Sequence, residues 1–310
     1  MSPLRVAIVG FGKIARDQHV PAIAATDGVE LVAVADPNAS LPGVPHAATL
    51  DQLLRDGPEI DAVSICTPPQ ARQRQAVIAL AAGKHVLLEK PPGATVAEIM
   101  PLQAAAQKSR RTLFTAWHSR FAPAVEPARQ LLADRKIASV RITWKEDVRV
   151  WHPGQAWIFE PGGLGVFDPG INALSILTHI LPQSVFVTSA DLAFPANRDA
   201  PIAASLTFAD ALGLKITAEF DFLQTGPQSW DIDIETDGGP VTLSHGGARL
   251  KAEDGQRVDA MHAEYPALYR RFCELVSGGA SDVDLAPLQL VADAFLLGRR
   301  RTVEPFEDET

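Results

Sequence analysis

The chain has 310 residues, of which 46% are hydrophobic and 21% are charged, so it is long enough for two domains that each bury a core. Its formal net charge of −9 argues against a nucleic acid partner, and the lack of a long apolar run argues against a membrane span or a signal peptide. Its two cysteines, Cys66 and Cys273, have neither the spacing of metal ligands nor that of a disulfide framework, so we expect no metal site and a cytoplasmic location.

Residues 1–120 alternate short β-branched stretches with longer helical patterns, and we predict that they form a dinucleotide-binding Rossmann domain. Its sheet would be parallel and doubly wound, because the predicted strands lack the two-residue alternation of a half-exposed sheet. The predicted strands are Leu4–Val9, Glu30–Ala35, Ala62–Ile65, His85–Leu88 and Thr112–Ala116. The clearest helical stretches between them are Ala71–Ala82 and Thr95–Ser109.

Residues 121–310 predict a substrate-binding and oligomerisation domain of the α+β class, with a large, mostly antiparallel, open sheet. The predicted strands are Ser139–Val150, Val185–Leu192, Ala203–Phe208, Lys215–Phe222 and Trp230–Thr236. The predicted helices are Pro123–Asp134, Pro169–Ile180, Tyr265–Ser277 and Leu285–Leu297. The arginines at 299–301 would follow the last helix and interact with its dipole. An alternative arrangement packs that last helix against the first domain.

A glycine-rich turn follows the first predicted strand directly. Gly10, Gly12 and Ala15 have the Gly-x-Gly-x-x-Ala spacing: the first glycine makes a tight turn, the second lets the backbone approach a pyrophosphate, and the alanine lets the next helix pack closely. Lys13 and Ile14 would offer backbone N–H donors at the start of that helix. The alternative is an ordinary glycine turn, but the preceding strand and the following helix favour a dinucleotide site.

Asp36 ends the second predicted strand, at the interval expected for an acid that binds the adenosine ribose. A carboxylate there accepts hydrogen bonds from the ribose 2′-hydroxyl and repels a 2′-phosphate. The next residues, Pro37 and Asn38, include no arginine that would neutralise a phosphate. We therefore predict NAD as the preferred cofactor, with NADP as the alternative.

Two further motifs end predicted strands at the carboxyl edge of the sheet, where open α/β sheets bind ligands. Thr67-Pro68 follows one strand, and its backbone is expected near the cofactor, whereas Cys66 is interpreted as a small buried residue. Glu89-Lys90 follows another strand, so both residues are cofactor-site candidates. Beside a nicotinamide, Lys90 would donate to, or relay a proton from, a substrate hydroxyl, although a lysine taken alone is more often a surface residue.

The segment from Trp144 to Asn172 contains three of the five tryptophans of the chain and has no clean apolar period. Flat indole faces beside polar groups such as Glu146 and His152 suit a hydroxylated ring, whose C–H face packs on indole while its hydroxyls bind the polar side chains. The segment therefore predicts the substrate-binding surface. For any single histidine or tryptophan, packing in the core is the alternative.

Asp168 and Pro169 have the pattern of a helix start, with Asp168 as the N-cap and Pro169 as the first helical residue. Either Asp168 only caps the helix, or Asp168 and Asn172 point at one ligand, because residues four apart lie on the same helical face. The sequence leaves both interpretations open.

The glycine motif, the Glu-Lys-Pro motif that begins at Glu89, and the Gly-Gly-x-x-x-x-Asp-x-x-x-Asn motif that ends at Asn172 together resemble the glucose–fructose oxidoreductase/inositol dehydrogenase/rhizopine-catabolism (Gfo/Idh/MocA) family. The resemblance spans nearly the whole chain and implies that Lys90 and Asp168 are catalytic. The family usually has histidine at the position of Asn172, so its commonest acid/base residue is absent. The resemblance also implies a cis Lys90–Pro91 peptide bond and a homo-oligomer, a dimer or tetramer, paired through the open sheet.

Four stretches, residues 117–120, 144–147, 151–155 and 167–175, are similar to the branch of that family that oxidises the anomeric carbon of L-arabinose or D-galactose to the aldonolactone with NAD(P)⁺. The resemblance implies that Asp168 takes the proton of the anomeric hydroxyl, Lys90 polarises that hydroxyl and Asn172 orients it. The reverse roles of Lys90 and Asp168 are left open. The implied sugar-binding residues are His118, Glu146, Trp151, His152, Asp168, Asn172 and Trp230.

Two other functions are weighed against this one. A non-catalytic nucleotide-binding sensor would keep the same fold, but the presence of Lys90, Asp168 and the indole-rich segment argues against it. A dehydrogenase of inositol or of another aldose would keep the enzyme and change the substrate, and Asn172 and residues 151–154 argue against that.

Overall fold

The computed structural model describes residues 2–260 and 264–307. These residues form two compact units. The first unit runs to His118 and also includes Tyr265–Asp284, and the second unit contains the rest of the described chain. The two units differ from the predicted division at residue 120 because residues 265–284 lie in the first unit. The domain boundaries themselves remain a prediction.

A parallel sheet forms the centre of the first unit. Its strands are β1 (Leu4–Val9), β2 (Val29–Ala35), β3 (His46–Ala47), β4 (Ala62–Ile65), β5 (His85–Glu89) and β6 (Leu113–Ala116). They lie in the order β3-β2-β1-β4-β5-β6, and every neighbouring pair is parallel. This order confirms the predicted doubly wound Rossmann sheet. Successive strands are added on one side of β1 as far as β3 and then, from β4 onward, on its other side. Ligands bind at the carboxyl ends of the strands where the strand order reverses in this way.

Both faces of this sheet are covered. Successive residues of a strand point to opposite faces, and Val6, Ala7 and Ile8 of β1 are all 0% exposed. The helices of this part of the chain are α1 (Val20–Ala24), α2 (Leu50–Asp56), α3 (Pro69–Ala81) and α4 (Met100–Ser109). Residues 13–24 are helical throughout, and the stretch just before α1, Ala15–His19, is a π-helix. Short π-helical insertions of this kind are frequent at functional sites.

The second unit is built on a large mixed sheet. Its strands are β7 (Ile137–Lys145), β8 (Val185–Pro195), β9 (Ala203–Asp210), β10 (Lys215–Asp221), β11 (Ser229–Thr236), β12 (Val241–Ser244), β13 (Arg249–Ala252), β14 (Arg257–Asp259) and β15 (Arg299–Val303). They lie in the order β14-β13-β12-β11-β7-β10-β9-β8-β15. Neighbours are antiparallel except in two pairs, β7 with β10 and β8 with β15, which are parallel. The mostly antiparallel open sheet is thus confirmed.

The remaining helices of the described chain are divided between the two units. Those of the second unit are α5 (Val125–Ala133), α6 (Val148–Trp151), α7 (Phe167–Ile180) and α9 (Ala286–Leu297), whereas α8 (Glu264–Gly278) belongs to the first unit from Tyr265 onward. Helix α7 approaches β10 closely, since a Cβ added at Gly170 would lie 2.7 Å from the Phe220 ring. The first turn of α7 is therefore fixed against the sheet.

Some predicted elements are wrong at their ends, among them the helix predicted over Thr95–Ser109, which begins at Met100. The strand predicted to run to Val150 ends at Lys145, because Asp147 accepts a hydrogen bond from the backbone N–H of Arg149 at 3.0 Å and starts α6. Helix α7 begins at Phe167 with Val166 as its N-cap, so Asp168 is not the cap and lies buried inside the first turn.

The structure also corrects the prediction for the three arginines at 299–301. Residues 299–301 follow α9, as predicted, but they form the start of β15, which pairs with β8. Arg299 and Arg301 both bind the carboxylate of Asp191 on β8, so the neighbouring positive charges are stabilised by a shared partner across the strand pair. Within residues 2–260 and 264–307, no helix combines the length and the apolar character that crossing a bilayer requires.

Candidate active site

The glycine turn after β1 has no room for a side chain at its first position. Gly10 has a φ of +86° and donates its N–H to Ala35 O at 2.9 Å. A Cβ at this residue would lie 2.7 Å from Cγ2 of Thr67. The close approach of the two loops therefore requires glycine.

Asp36 is held beside this turn by three backbone N–H groups. Phe11 N donates to Oδ2 at 2.7 Å, and Asn38 N and Ala39 N donate to Oδ1 at 2.8 and 2.9 Å. At Gly12, by contrast, an added Cβ would meet no atom within 4 Å. An open backbone for a pyrophosphate beside a fixed carboxylate for a ribose fits a dinucleotide cofactor.

The other two residues predicted for this turn lie at the start of the helix over 13–24. Lys13 is exposed and forms an ion pair with Asp17 one helical turn later, and Ile14 is half-buried. Their contribution through backbone N–H groups stays a prediction.

Arg72, on α3, was not identified from the sequence, and it ties the carboxyl ends of β4 and β5 together. Its Nε donates to Thr67 O at 2.7 Å, and its Nη1 donates to Glu89 O at 2.7 Å and to Pro91 O. The guanidinium is buried, so these backbone carbonyls offset the cost of removing its charge from water. Pro68 lies at the N-cap of α3 in the same loop as Thr67.

Glu89 ends β5, and its buried carboxylate has partners at both oxygens. Lys90 N donates to its Oε2 at 2.7 Å, Tyr265 Oη donates to its Oε1 at 2.8 Å, and His19 Nε2 lies 3.1 Å from the same Oε1. Lys90 itself is half-buried at the end of the strand. The predicted cis peptide bond between Lys90 and Pro91 is confirmed.

The environment of Glu89 favours its charged form. Burial alone raises the pKa of this carboxyl, but the hydrogen bond and charge of His19, with the charges of His118 and Arg72, lower the pKa to about 2. The carboxylate that supports the Lys90 backbone is therefore ionised at neutral pH.

His118 follows β6 and lies in the first unit. Its ring stacks on that of Tyr265, with the ring centroids 5.1 Å apart and an interplanar angle of 19°. The structure thus places this predicted sugar-binding residue against the ring of Tyr265.

In the second unit, one imidazole lies between two buried carboxylates. Glu146 follows β7 and is 2% exposed, and its N–H donates to Asp221 O at 2.9 Å. His152 Nε2 lies 2.9 Å from Glu146 Oε1, while His152 Nδ1 lies 3.7 Å from Asp168 Oδ2. Asp168 is itself 4% exposed. Three residues of the segment from Trp144 to Asn172 thus form one polar cluster.

Three indole rings adjoin this cluster. Trp230 Nε1 donates to Glu146 Oε2 at 2.8 Å. The Trp230 ring stacks on Trp144 at a centroid distance of 6.0 Å and contacts Trp151 at 4.7 Å. Trp144 is buried, whereas Trp151 is 38% exposed and leaves part of its apolar indole surface open to solvent.

The predicted sugar-binding residues of the second unit thus lie together, with Glu146, His152, Asp168, Trp151 and Trp230 joined by direct contacts. Asn172 lies one helical turn after Asp168 on α7 and is half-buried. No group of three or more metal-ligating side chains with the geometry of a metal site occurs among the described residues.

A doubly wound parallel sheet with this glycine turn and acid, accompanied by a large mixed sheet that carries a polar cluster, defines a dinucleotide-binding oxidoreductase. The family model described as "Oxidoreductase family, NAD-binding Rossmann fold" matches residues 4–117. A galactose 1-dehydrogenase of Pseudomonas fluorescens is 50% identical over 312 residues, which cover 99% of this chain and 100% of that protein. The chain belongs to the Gfo/Idh/MocA oxidoreductase family.

Solved structures show the same similarity. The crystal structure of a D-galactose-1-dehydrogenase from Rhizobium etli has a TM-score of 0.94 and 58% sequence identity, and the match covers 99% of each chain. A 3-ketoreductase from Actinomadura kijaniata, crystallised with NADP and TDP-benzene, has a TM-score of 0.82 and 20% identity, over 97% of this chain and 100% of that one. The second similarity extends only to the fold.

Proposed function

We propose that the protein is an NAD-dependent sugar 1-dehydrogenase, which oxidises the anomeric carbon of D-galactose, L-arabinose or both to the aldonolactone. One observation carries this proposal: the Glu146–His152–Asp168 cluster lies beside the partly exposed indole of Trp151. The two similar galactose 1-dehydrogenases, matched along their whole length, support the same substrate class.

The cluster has the properties that recognition of a monosaccharide requires. A pyranose ring has an apolar C–H face that packs on indole and a rim of hydroxyls that need charged or polar partners. Trp151 supplies the first, and the carboxylates of Glu146 and Asp168 supply the second. L-Arabinose and D-galactose differ by an exocyclic hydroxymethyl group, and one added small group is weakly discriminated by shape alone.

In the proposed reaction, the anomeric O–H bond breaks and its proton passes to a protein base, while the C–H bond breaks and a C=O bond forms. The bound nicotinamide supplies the acceptor for the hydride. We assign the base to Asp168, whose Oδ2 lies 3.7 Å from His152 Nδ1, and the orienting hydrogen bond to Asn172. Lys90 polarises the hydroxyl, and the exchange of roles between Lys90 and Asp168 is the alternative.

For the cofactor, we propose a preference for NAD over NADP. The carboxylate of Asp36 is fixed by the N–H groups of Phe11, Asn38 and Ala39, so it cannot swing away from a 2′-phosphate without losing these bonds. A fixed negative charge at this position favours a ribose 2′-hydroxyl.

We also propose a cytoplasmic homo-oligomer, a dimer or tetramer, that pairs through the sheet of the second unit. The supporting observation is the alternating burial along β7 and β10, which leaves every second residue of these central strands partly exposed. Analytical ultracentrifugation tests this, and a monomer at micromolar concentration would contradict it.

The decisive experiment for the activity is a substrate panel assayed by NADH formation. D-Galactose and L-arabinose are expected to react. D-Glucose and D-xylose are expected to react at least about tenfold less efficiently, because a single misplaced hydroxyl leaves a buried polar group unpaired, and myo-inositol, which has no anomeric carbon, is expected to react no better than these two. The same panel with NADP⁺ measures the cofactor preference. Turnover of myo-inositol or D-xylose alone would support the alternative dehydrogenases, and cofactor binding without any turnover would support a sensor.

A further inference from the structure

Five buried polar side chains of the first unit form one hydrogen-bonded network. Ser64 Oγ lies 2.9 Å from Tyr269 Oη, and Tyr269 Oη lies 2.7 Å from His19 Nδ1. The other ring nitrogen, His19 Nε2, lies 3.1 Å from Glu89 Oε1, to which Tyr265 Oη also donates at 2.8 Å. His19 and Ser64 are 0% exposed, and Glu89 is 1% exposed.

This network is costly for a core. Removing an imidazole and a carboxylate from water carries a desolvation penalty, and well-packed apolar residues of the same volume are often equally or more stabilising. The chain has only two tyrosines, Tyr265 and Tyr269, and the hydroxyls of both belong to the network. Stability alone does not account for such a concentration of polar groups.

Four elements of the first unit meet in the network, and Ser64 comes from β4. His19 comes from the π-helical stretch that follows the glycine turn, Glu89 from the end of β5, and the tyrosines from one face of α8, since they are four residues apart. The helix that starts at the dinucleotide motif is therefore linked, through a single imidazole, to the Glu-Lys-Pro motif.

The network ends at two residues with proposed roles toward the substrate. Glu89 Oε2 accepts the backbone N–H of Lys90 at 2.7 Å, which fixes the chain where the lysine side chain begins. The ring of Tyr265 stacks on His118 at a centroid distance of 5.1 Å. Tyr265 thus reaches Lys90 through its hydroxyl, by way of Glu89, and reaches His118 through its ring.

We propose that His19, Tyr265 and Tyr269 are positioning residues of the dehydrogenase, which hold Glu89 so that Lys90 and His118 keep their working orientations. The proposal rests on the proposed sugar dehydrogenase activity. It assigns two separable functions to Tyr265: its hydroxyl serves the chemical step through Glu89 and Lys90, and its ring serves sugar binding through His118.

A pair of substitutions at one residue separates these functions. Tyr265→Phe removes the hydroxyl and keeps the ring, so kcat should fall roughly 10- to 100-fold, as expected for a slightly misplaced catalytic group, with the sugar KM nearly unchanged. Tyr265→Leu removes both, so the sugar KM should also rise up to about tenfold, the equivalent of a lost aromatic pair. Equal kcat in wild type and Tyr265→Phe would overturn the proposal.

Substitutions of His19 test the other support of Glu89. His19→Gln keeps an amide N–H for the Glu89 carboxylate, whereas His19→Leu removes the imidazole contact to Oε1 and leaves the hydrogen bond from Tyr265 Oη to that oxygen. The glutamine variant should therefore recover a substantial part of the kcat lost in the leucine variant. The same kcat in both variants would contradict a positioning role for the imidazole.

A matched control distinguishes positioning from general loss of packing. Phe272 lies on α8 like the tyrosines and stacks on Phe114 at 6.1 Å, outside the network. Phe272→Leu should lower Tm at least as much as Tyr265→Phe and leave kcat within about twofold of wild type, because it removes apolar contacts alone. If Phe272→Leu lowers kcat as much as Tyr265→Phe does, the network has only a structural role.

A structural measurement keeps the proposal testable apart from turnover. Crystal structures of wild type and Tyr265→Phe should show the Glu89 carboxylate rotated and its hydrogen bond from Lys90 N lost in the variant. Unchanged positions of Glu89 and Lys90 would overturn the proposal even if no sugar of the panel reacts. Lack of turnover by the wild type would instead contradict the proposed function alone.

Discussion

Trp230 Nε1 donates a hydrogen bond to Glu146 Oε2 at 2.8 Å, and the register of the second sheet places the two residues together. In the antiparallel pairing of β11 with β7, Trp230 lies opposite Trp144. Glu146 follows Trp144 by two residues, which returns it to the same side of the strand. Because His152 contacts the other oxygen of Glu146, both oxygens of this side chain are held in position.

The link between Trp230 and Glu146 predicts a specific loss of sugar affinity. Trp230→Phe keeps an aromatic ring and removes the N–H donor, so the buried carboxylate of Glu146 loses one of its partners. We expect the KM for galactose to rise about tenfold, the cost of one hydrogen bond to a charged group, with a smaller change in kcat. Initial rates of NADH formation over a range of galactose concentrations measure both constants.

The neighbouring indole supplies the control for this substitution. Trp144 is buried, and its Nε1 is one of the buried side-chain atoms of the described chain that lacks a hydrogen-bond partner. Trp144→Phe removes the same atoms from the stack without removing a donor to Glu146. It should lower Tm and leave the galactose KM within about threefold of wild type. Similar KM values in the two variants would show that the Trp230 N–H does not matter.

The loss of unfolding free energy at acidic pH is expected to depend on Glu89. Its folded-state pKa of about 2 lies below its ordinary value of 4.5, so the stabilisation from this group is complete above about pH 4.5 and is lost as the pH falls toward 2. Glu89→Gln removes the titrating group. Urea unfolding at a series of pH values should therefore show a shallower loss of unfolding free energy for this variant than for wild type between about pH 4.5 and 3.

Glu126 provides a comparison for this pH dependence. Hydrogen bonds from Arg129 and Gln130 lower the pKa of Glu126 to about 2 as well, but its side chain is 46% exposed. Solvent screening weakens exposed ion pairs, so Glu126→Gln should change the loss of unfolding free energy at acidic pH less than Glu89→Gln does. If the two variants have the same pH profile, burial of Glu89 does not govern acid stability.

The cofactor motif was predictable because its parts are local. Gly10 and Gly12 lie in one turn, and Asp36 ends the next strand, so spacing alone brings them together. The network behind Lys90 was not predictable in this way. Tyr265 comes from α8, which is distant in the sequence but packs in the first unit, and His19 faces inward within a π-helical stretch that a 3.6-residue period does not describe.

The polar cluster of the second unit was partly predictable. The composition of the segment after Trp144 indicated a ligand surface, and resemblance supplied Trp230, which no local pattern connects to Glu146. The strand predicted through Val150 failed because alternating valines suggest a strand, whereas the cap at Asp147 starts a short helix that presents Trp151 and His152. In the first unit, a signal that was overlooked is the placement of Tyr265 and Tyr269 on one helical face.

Asp36 is expected to determine the choice between the two nicotinamide cofactors. Asp36→Ala removes the ribose acceptor and the negative charge that opposes a 2′-phosphate. The kcat/KM with NAD⁺ should fall at least about tenfold, and the ratio of NADP⁺ to NAD⁺ efficiency should rise. Asp17→Ala, which removes a nearby exposed carboxylate paired with Lys13, is the control and should leave that ratio unchanged. An unaltered ratio in Asp36→Ala would contradict the assigned role.

Alanine substitutions at the two glycines of the turn should have different effects, one on folding stability and the other on cofactor affinity. At Gly10 the φ of +86° and the 2.7 Å distance from an added Cβ to Thr67 both oppose a side chain, so Gly10→Ala should lower Tm of the cofactor-free protein by several degrees. At Gly12 an added Cβ meets no protein atom within 4 Å, so Gly12→Ala should fold with nearly the wild-type Tm. Its methyl group would instead occupy the space that a pyrophosphate approaches, and NADH affinity measured by calorimetry should fall at least about tenfold. Wild-type NADH affinity in Gly12→Ala would mean that the pyrophosphate does not bind at this turn.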